Sequence, residues 1–322
     1  MDAIDYSVLY RRSVTGDQLP ALRKAALLIS AFNLSERVGK VFADCPADRK
    51  HWIIQPEYAF ADDALPGHPF VYKPASFNEA EFWSEYFADA GYPDPGSDLV
   101  VDITGFMRPH LMLLVRLLFA HGLRRFRVLY SDPSTYRREE RTEFTKGPIT
   151  VVRQVAGFEG VHSPARGDQD LLIIGTGYDD RLIRFAAEEK IDARKVMLFG
   201  LPSLQPSMYQ ENVLRAAKAE NSIGKWYDLD PIFAPANDPF ITAQLLHERV
   251  ERERSAHGVA NVYLCPVGTK AQALGFALYY VHEGMGKACS VIFPFAERYD
   301  QETTRGVSRV WEYTVEALPW LT

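Results

Sequence analysis

The chain is poor in cysteine, has no long uninterrupted apolar run and carries no excess of positive charge. Each shortage removes a class of function. Its three cysteines, Cys45, Cys265 and Cys289, match neither a zinc-ribbon spacing nor a disulfide framework. They fit a reducing compartment, so a cytoplasmic location is expected. Cys265 ends an apolar strand, where a nucleophile can sit, but a small buried apolar residue is the simpler reading. The most apolar stretch, Leu111 to Leu123, is interrupted by Arg116 and His121 and is too short to cross a bilayer. The opening Met-Asp-Ala-Ile-Asp-Tyr has no basic segment ahead of an apolar one, so no signal peptide is expected. With a net charge of −6, a broad groove for long nucleic acid is not expected, because such a groove needs a basic face that releases counterions. A local phosphate pocket stays open. Also missing are Gly-x-Ser-x-Gly, His-Glu-x-x-His, a metal-spaced carboxylate cluster and a Walker A loop. No metal and no cofactor are expected, and catalysis, if any, would rest on positioning.

The remaining composition is that of an ordinary globular protein, 47% apolar and 24% charged. Short apolar runs alternate with helical patterns of ten or more residues, which implies βαβ units and parallel sheets covered on both faces. In the second half, strands are expected at Asp170–Ile174, Lys195–Gly200, Lys225–Leu229, Asn261–Cys265 and Cys289–Phe293. Helices are expected over Asp179–Lys190, Ser207–Ala219, from the Asn237-Asp-Pro cap to about Ser255, and after Lys270. In the first half, strands are expected at Ala25–Ala31, His51–Ile54, Phe70–Tyr72, Leu99–Ile103 and Phe126–Tyr130. Helices are expected from Asn33-Leu-Ser-Glu-Arg37, over Asn78–Ala90 and over Arg108–Gly122. Ile149–Arg153 reads as a strand beyond the charged run Arg137–Arg141, and Val161–Gly167 as a linker. These patterns predict an α/β protein of two Rossmann-like domains, residues 1–165 and 166–322.

Two stretches look like one unit written twice. Leu99-Val-Val-Asp-Ile-Thr-Gly105 precedes an apolar helix, a strand and Tyr136; Asn261-Val-Tyr-Leu-Cys-Pro-Val-Gly268 precedes an apolar helix, a strand and Tyr299. The step from glycine to tyrosine is 31 residues in both. The pairing predicts two similar halves with a pseudo-two-fold relation and a ligand cleft between them.

Gly268-Thr269-Lys270 lies between strand and helix, where free backbone N–H groups and the helix dipole favour an anion. Glycine permits close approach, Thr269 offers a hydroxyl or an N-cap, and Lys270 adds a charge. A plain N-cap with a solvated lysine is the alternative. In the first half, Asp102, Thr104, Gly105 and Arg108 hold the matching place, with Arg108 able to fork onto a phosphate. Asp102 capping the following amides explains the same pattern. His110, in the helix's first turn, fits packing better than catalysis. Gly175-Thr176-Gly177 lacks the third glycine of a dinucleotide site, Asp180 standing there instead, so a standard NAD site is not expected. Asn33 and Ser35 are its counterparts, as base or ribose partners or as N-caps. Arg305, Arg309, Trp311 and Tyr313 suit base stacking, although a docked loop explains them as well. Phe82, Trp83, Tyr86 and Phe87 offer a partner face or, more simply, a core helix.

The stretch from about 165 to 300 resembles the CRISPR-associated Rossmann fold (CARF) family. The resemblance rests on the strand Asn261–Cys265 with its Gly268-Thr-Lys270 turn and on the loop Gly175–Asp180. The chain carries Pro266-Val267 where the family often has further Thr or Gly. CARF proteins bind cyclic oligonucleotide messengers across a dimer interface, and the related SAVED domains look like two fused CARF units. The resemblance therefore implies a sensor of a cyclic or linear oligonucleotide signal in antiphage defence. It also implies a separate effector protein as partner, because two halves fill the length. A ring nuclease using the same cleft, orienting a ribose hydroxyl for in-line attack, is the enzymatic alternative. A scaffold subunit of a defence complex is the third.

Overall fold

The computed structural model describes residues 4–136, 145–164, 169–206 and 208–317. The chain forms two compact units. The first comprises Leu9–Lys146 with Arg298–Thr322, and the second Met1–Val8 with Gly147–Glu297.

The first unit begins with β1 (Arg11–Val14), β2 (Ala25–Ala31), α1 (Glu36–Asp44), β3 (Ala47–Ile53) and β4 (Val71–Tyr72). It continues with α2 (Glu79–Ala90), β5 (Leu99–Asp102), α3 (Arg108–Ala120), β6 (Arg125–Asp132) and β7 (Thr135–Tyr136). The second unit contains β8 (Thr145–Gln154), β9 (Asp170–Gly175), α4 (Asp180–Glu189), β10 (Arg194–Gly200), α5 (Met208–Lys218) and α6 (Glu220–Ile223). β11 (Ile232–Ala234), α7 (Pro239–His257), β12 (Asn261–Pro266), α8 (Lys270–Tyr279) and β13 (Cys289–Tyr299) complete it. The chain then returns to the first unit with β14 (Thr304–Arg305) and β15 (Arg309–Glu316).

The first sheet runs β1-β15-β6-β5-β2-β3-β4 and the second β11-β10-β9-β12-β13-β8. Strands β6, β5, β2, β3 and β4 pair in parallel. So do β11, β10, β9, β12 and β13. Numbered along the chain, both parallel sets have the order 3-2-1-4-5. The central strands are apolar on both faces: Leu28 and Ile29 of β2 and Leu171 to Ile174 of β9 are fully buried. That is the pattern of a parallel strand covered by helices on each side. Each unit is thus a Rossmann-like α/β layer structure, with β1 and β15 adding an antiparallel edge to the first.

Local chemistry places the helices where the pattern predicts them. Asn78 accepts from the amides of Ala80 and Glu81 to start α2, and Asp179 accepts from Arg181 to start α4. Asp238 accepts from Phe240 and Ile241 ahead of Pro239, and Gly258, at φ 62°, ends α7. Phe82, Trp83, Tyr86 and Phe87 of α2 are all buried, so they form core and not a partner face. Among the described residues no helix is long and apolar enough to cross a membrane.

Two local expectations are corrected. Lys225–Leu229 is not a strand: Trp226–Leu229 is a 3-10 turn closed by left-handed Asp230, and the strand is β11, after it. The tail through Tyr313 is not a docked loop but largely β15, paired antiparallel with β1 and β6. Its interior Glu312 disguises it, because that carboxylate is buried against Arg127. Strand β15 returns the chain from the second unit to the first sheet. Of the expected linker, Val161 and Ser163 are tied to the second unit through Lys287 and Asn261. Its residues from 165, like Ser207 and the run Arg137–Arg141, lie outside the described residues.

Candidate functional site

In an α/β sheet, ligands bind beyond the strand C-termini where the strand order reverses. That point lies between β2 and β5 in the first unit and between β9 and β12 in the second. The expected site residues sit at these two places, because the turn after each of these strands begins there.

In the first unit, Gly105 leads from β5 towards α3. A Cβ at Gly105 would stand 1.9 Å from the carbonyl oxygen of Ala31, so glycine is required by the chain's own close approach. The Gly105 carbonyl accepts from the Tyr58 hydroxyl at 2.8 Å, and that hydroxyl accepts from Asn33 Nδ2 at 3.3 Å. Asn33 Oδ1 accepts from the Ser35 amide, and Ser35 precedes α1 without a side-chain cap. Burial pushes the Tyr58 and Tyr130 hydroxyls up to about 12, partly opposed by the charges of Arg37 and Arg108. Asp102 is fully buried; its oxygens accept from the Thr104 amide and the Ser30 hydroxyl. Burial raises its carboxyl above the ordinary aspartate range, against the pull of those bonds. Thr104 exchanges hydrogen bonds with Ser131, and Arg108, half-buried, opens α3. Asp102 and Thr104 are therefore committed within the fold.

The loop after β3 adds residues outside the two glycine turns. Gln55 is fully buried and accepts, through Oε1, from the amide of Met107, the N-cap of α3. Its Nε2 has no hydrogen-bond partner among the described residues. Glu57 Oε1 lies 2.9 Å from Nε2 of His110, so this histidine is half of a buried hydrogen-bonded pair. Glu57 Oε2 and His110 Nδ1 are likewise unpartnered. The signal was Gln55-Pro-Glu-Tyr58, a polar run directly after the second parallel strand.

In the second unit the same edge is built from Gly175-Thr-Gly177 and Gly268-Thr-Lys270. A Cβ at Gly177 would lie 2.1 Å from the Val267 carbonyl oxygen, and one at Gly175 would meet the Phe276 ring at 3.0 Å. Thr176 gives its amide and its hydroxyl to Leu198, at 2.8 and 3.0 Å. Thr269 caps α8: it accepts from the Gln272 amide and donates to the Ala236 carbonyl. Gln272 returns the favour through Oε1, which accepts from the Thr269 amide at 3.2 Å and closes a capping box. Its Nε2, buried, has no hydrogen-bond partner among the described residues. Asn212 donates to the Thr176 carbonyl at 3.3 Å, and its buried Oδ1 has no partner among the described residues. Lys270 is half-buried at the first position of α8.

Both units therefore repeat one device. A glutamine Oε1 holds the N-cap amide of the helix after the glycine turn, and its buried NH2 has no partner among the described residues. Such an NH2 beside the positive end of a helix suits a ligand oxygen, as in a phosphate or a base carbonyl. Among the described residues no group of His, Cys, Asp or Glu is arranged to hold a metal ion. The cysteines are free and buried, and burial pushes the Cys45 thiol up to about 11 and that of Cys289 to about 12. No protein-family model, curated protein or solved structure matches the chain.

Proposed function

We propose that the two units are tandem CARF-like Rossmann repeats that bind an oligonucleotide-type second messenger at their strand C-termini and signal to a separate effector in antiphage defence. The observation that carries this reading is the pair of unpartnered glutamine amides, Gln55 and Gln272, each beside a helix N-terminus after a glycine turn. Lys270 and Arg108 open those same helices and supply the cationic charge for phosphates. The departures from one another, with Glu57 and His110 present only in the first unit, favour an asymmetric or linear nucleotide.

A panel of cyclic and linear oligonucleotides tests this by thermal shift. Gln272→Glu keeps the Oε1 acceptor of the capping box and replaces the unpartnered donor with an acceptor. It is expected to abolish the shift, as is Lys270→Ala. No shift across the panel would overturn the reading. The Glu57–His110 pair favours a second reading, a ring nuclease in which it moves protons while the fold orients the ribose hydroxyl. Chromatography after prolonged incubation separates the two, because intact ligand removes the enzymatic one.

A further inference from the structure

At the opposite edge of the first sheet, where its parallel strands begin, lies a cavity of about 550 Å³. Arg12 of β1, Arg23 ahead of β2, and Arg124, Arg125 and Arg127 around the start of β6 line it. Five guanidiniums thus face two lining carboxylates, Asp98 and Glu312, in a chain whose net charge is −6. The volume is that of a small-molecule site.

Both carboxylates are already divided. Asp98 pairs with Arg23 at 2.6 Å and Arg127 at 3.0 Å; Glu312 pairs with Arg12 at 2.6 Å and Arg127 at 3.1 Å. Arg127 is buried and also donates to the Arg23 carbonyl, so it braces the others from within. Arg125 reaches Glu316 on the rim, and Arg124 has no side-chain ion pair among the described residues. Crowded guanidiniums repel one another unless an anion bridges them, and their planar forks match phosphate oxygens. Tyr10, 54% exposed on the same wall, offers a ring on which a base can stack.

We infer that this cavity binds a small ligand bearing two or more linked phosphate groups. It is distinct from the first unit's part of the messenger site, which lies at the other end of the same strands. Two sources share that chemistry, inorganic polyphosphate and a nucleoside polyphosphate. Titration calorimetry of the full chain with tripolyphosphate and with ATP, at about 50 mM salt, distinguishes them. Both are expected to bind, and binding is expected to weaken steeply towards about 200 mM salt. Arg124→Glu with Arg125→Glu, both at exposed positions, is expected to weaken binding at least about tenfold. Arg124→Gln with Arg125→Gln serves should charge reversal disturb folding. Gln272→Glu is expected to leave it unchanged, so this site and the messenger site fail separately. Tighter binding of ATP, lost in Tyr10→Ala, assigns a nucleotide; equal affinities assign polyphosphate alone. Absence of binding by both probes, or binding that neither double variant weakens, overturns the inference.

Discussion

At the scale of single residues, the glycines of the two turns serve the chain's own packing before any ligand. Gly177→Ala would set a methyl 2.1 Å from the Val267 carbonyl oxygen. A loss of about 1–3 kcal/mol or more is expected in urea unfolding. Gly39 gives the contrast: it lies exposed within α1 with nothing near its Cβ, so Gly39→Ala is expected to stabilise by about 0.5–1 kcal/mol. His51 carries a pH dependence. Burial, then the charges of Arg49 and His68, lower its pKa from the usual 6.5 to about 4. The folded state therefore favours the neutral ring. The stability it contributes is complete above about pH 6.5 and is lost as pH falls towards about 4. The urea midpoint is expected to drop between pH 7 and pH 5, and to drop less in His51→Gln. The residue types of the glycine turns were legible in the chain, because a strand–glycine–helix run has few structural meanings. The unpartnered amides of Gln55 and Gln272 were not, since whether a buried donor finds an acceptor depends on neighbours distant in sequence.

At the scale of elements, helices and parallel strands follow from local patterns, whereas the antiparallel edge does not. Asn78, Asp179, Asp238 and Thr269 each stand at the start of the helix they cap, so their role is readable locally. Strand β15 carries Glu312 in its interior, a charge that looks solvated until Arg127 and Arg12 supply its partners. Ending the chain after Thr303 is expected to remove the strand that joins β1 to β6, leaving β6 paired with β5 alone, and to abolish the cooperative melting of the first unit by circular dichroism. In α2, Trp83 is fully buried and its indole N–H donates to the His110 carbonyl at 2.9 Å. Trp83→Ala is expected to cost about 3–5 kcal/mol, and Trp83→Phe distinctly less, in chemical denaturation.

At the scale of the whole molecule, each unit holds its own sheet and its own core. Calorimetry is therefore expected to resolve two unfolding components. Gly105→Ala is expected to lower one of them and Gly177→Ala the other. A single component shifted equally by both substitutions would show that the units unfold as one.

Alternating apolar runs and helical periods sufficed for the α/β class, the βαβ units and the two glycine turns, because these depend on neighbours a few residues apart. The return of β15 into the first sheet, the closing of the turns upon their own backbones, the buried Glu57–His110 pair and the gathering of five arginines at one sheet edge all join residues far apart in the chain. Such contacts leave no periodic trace, since burial and charge pairing across a sheet depend on which strands become neighbours.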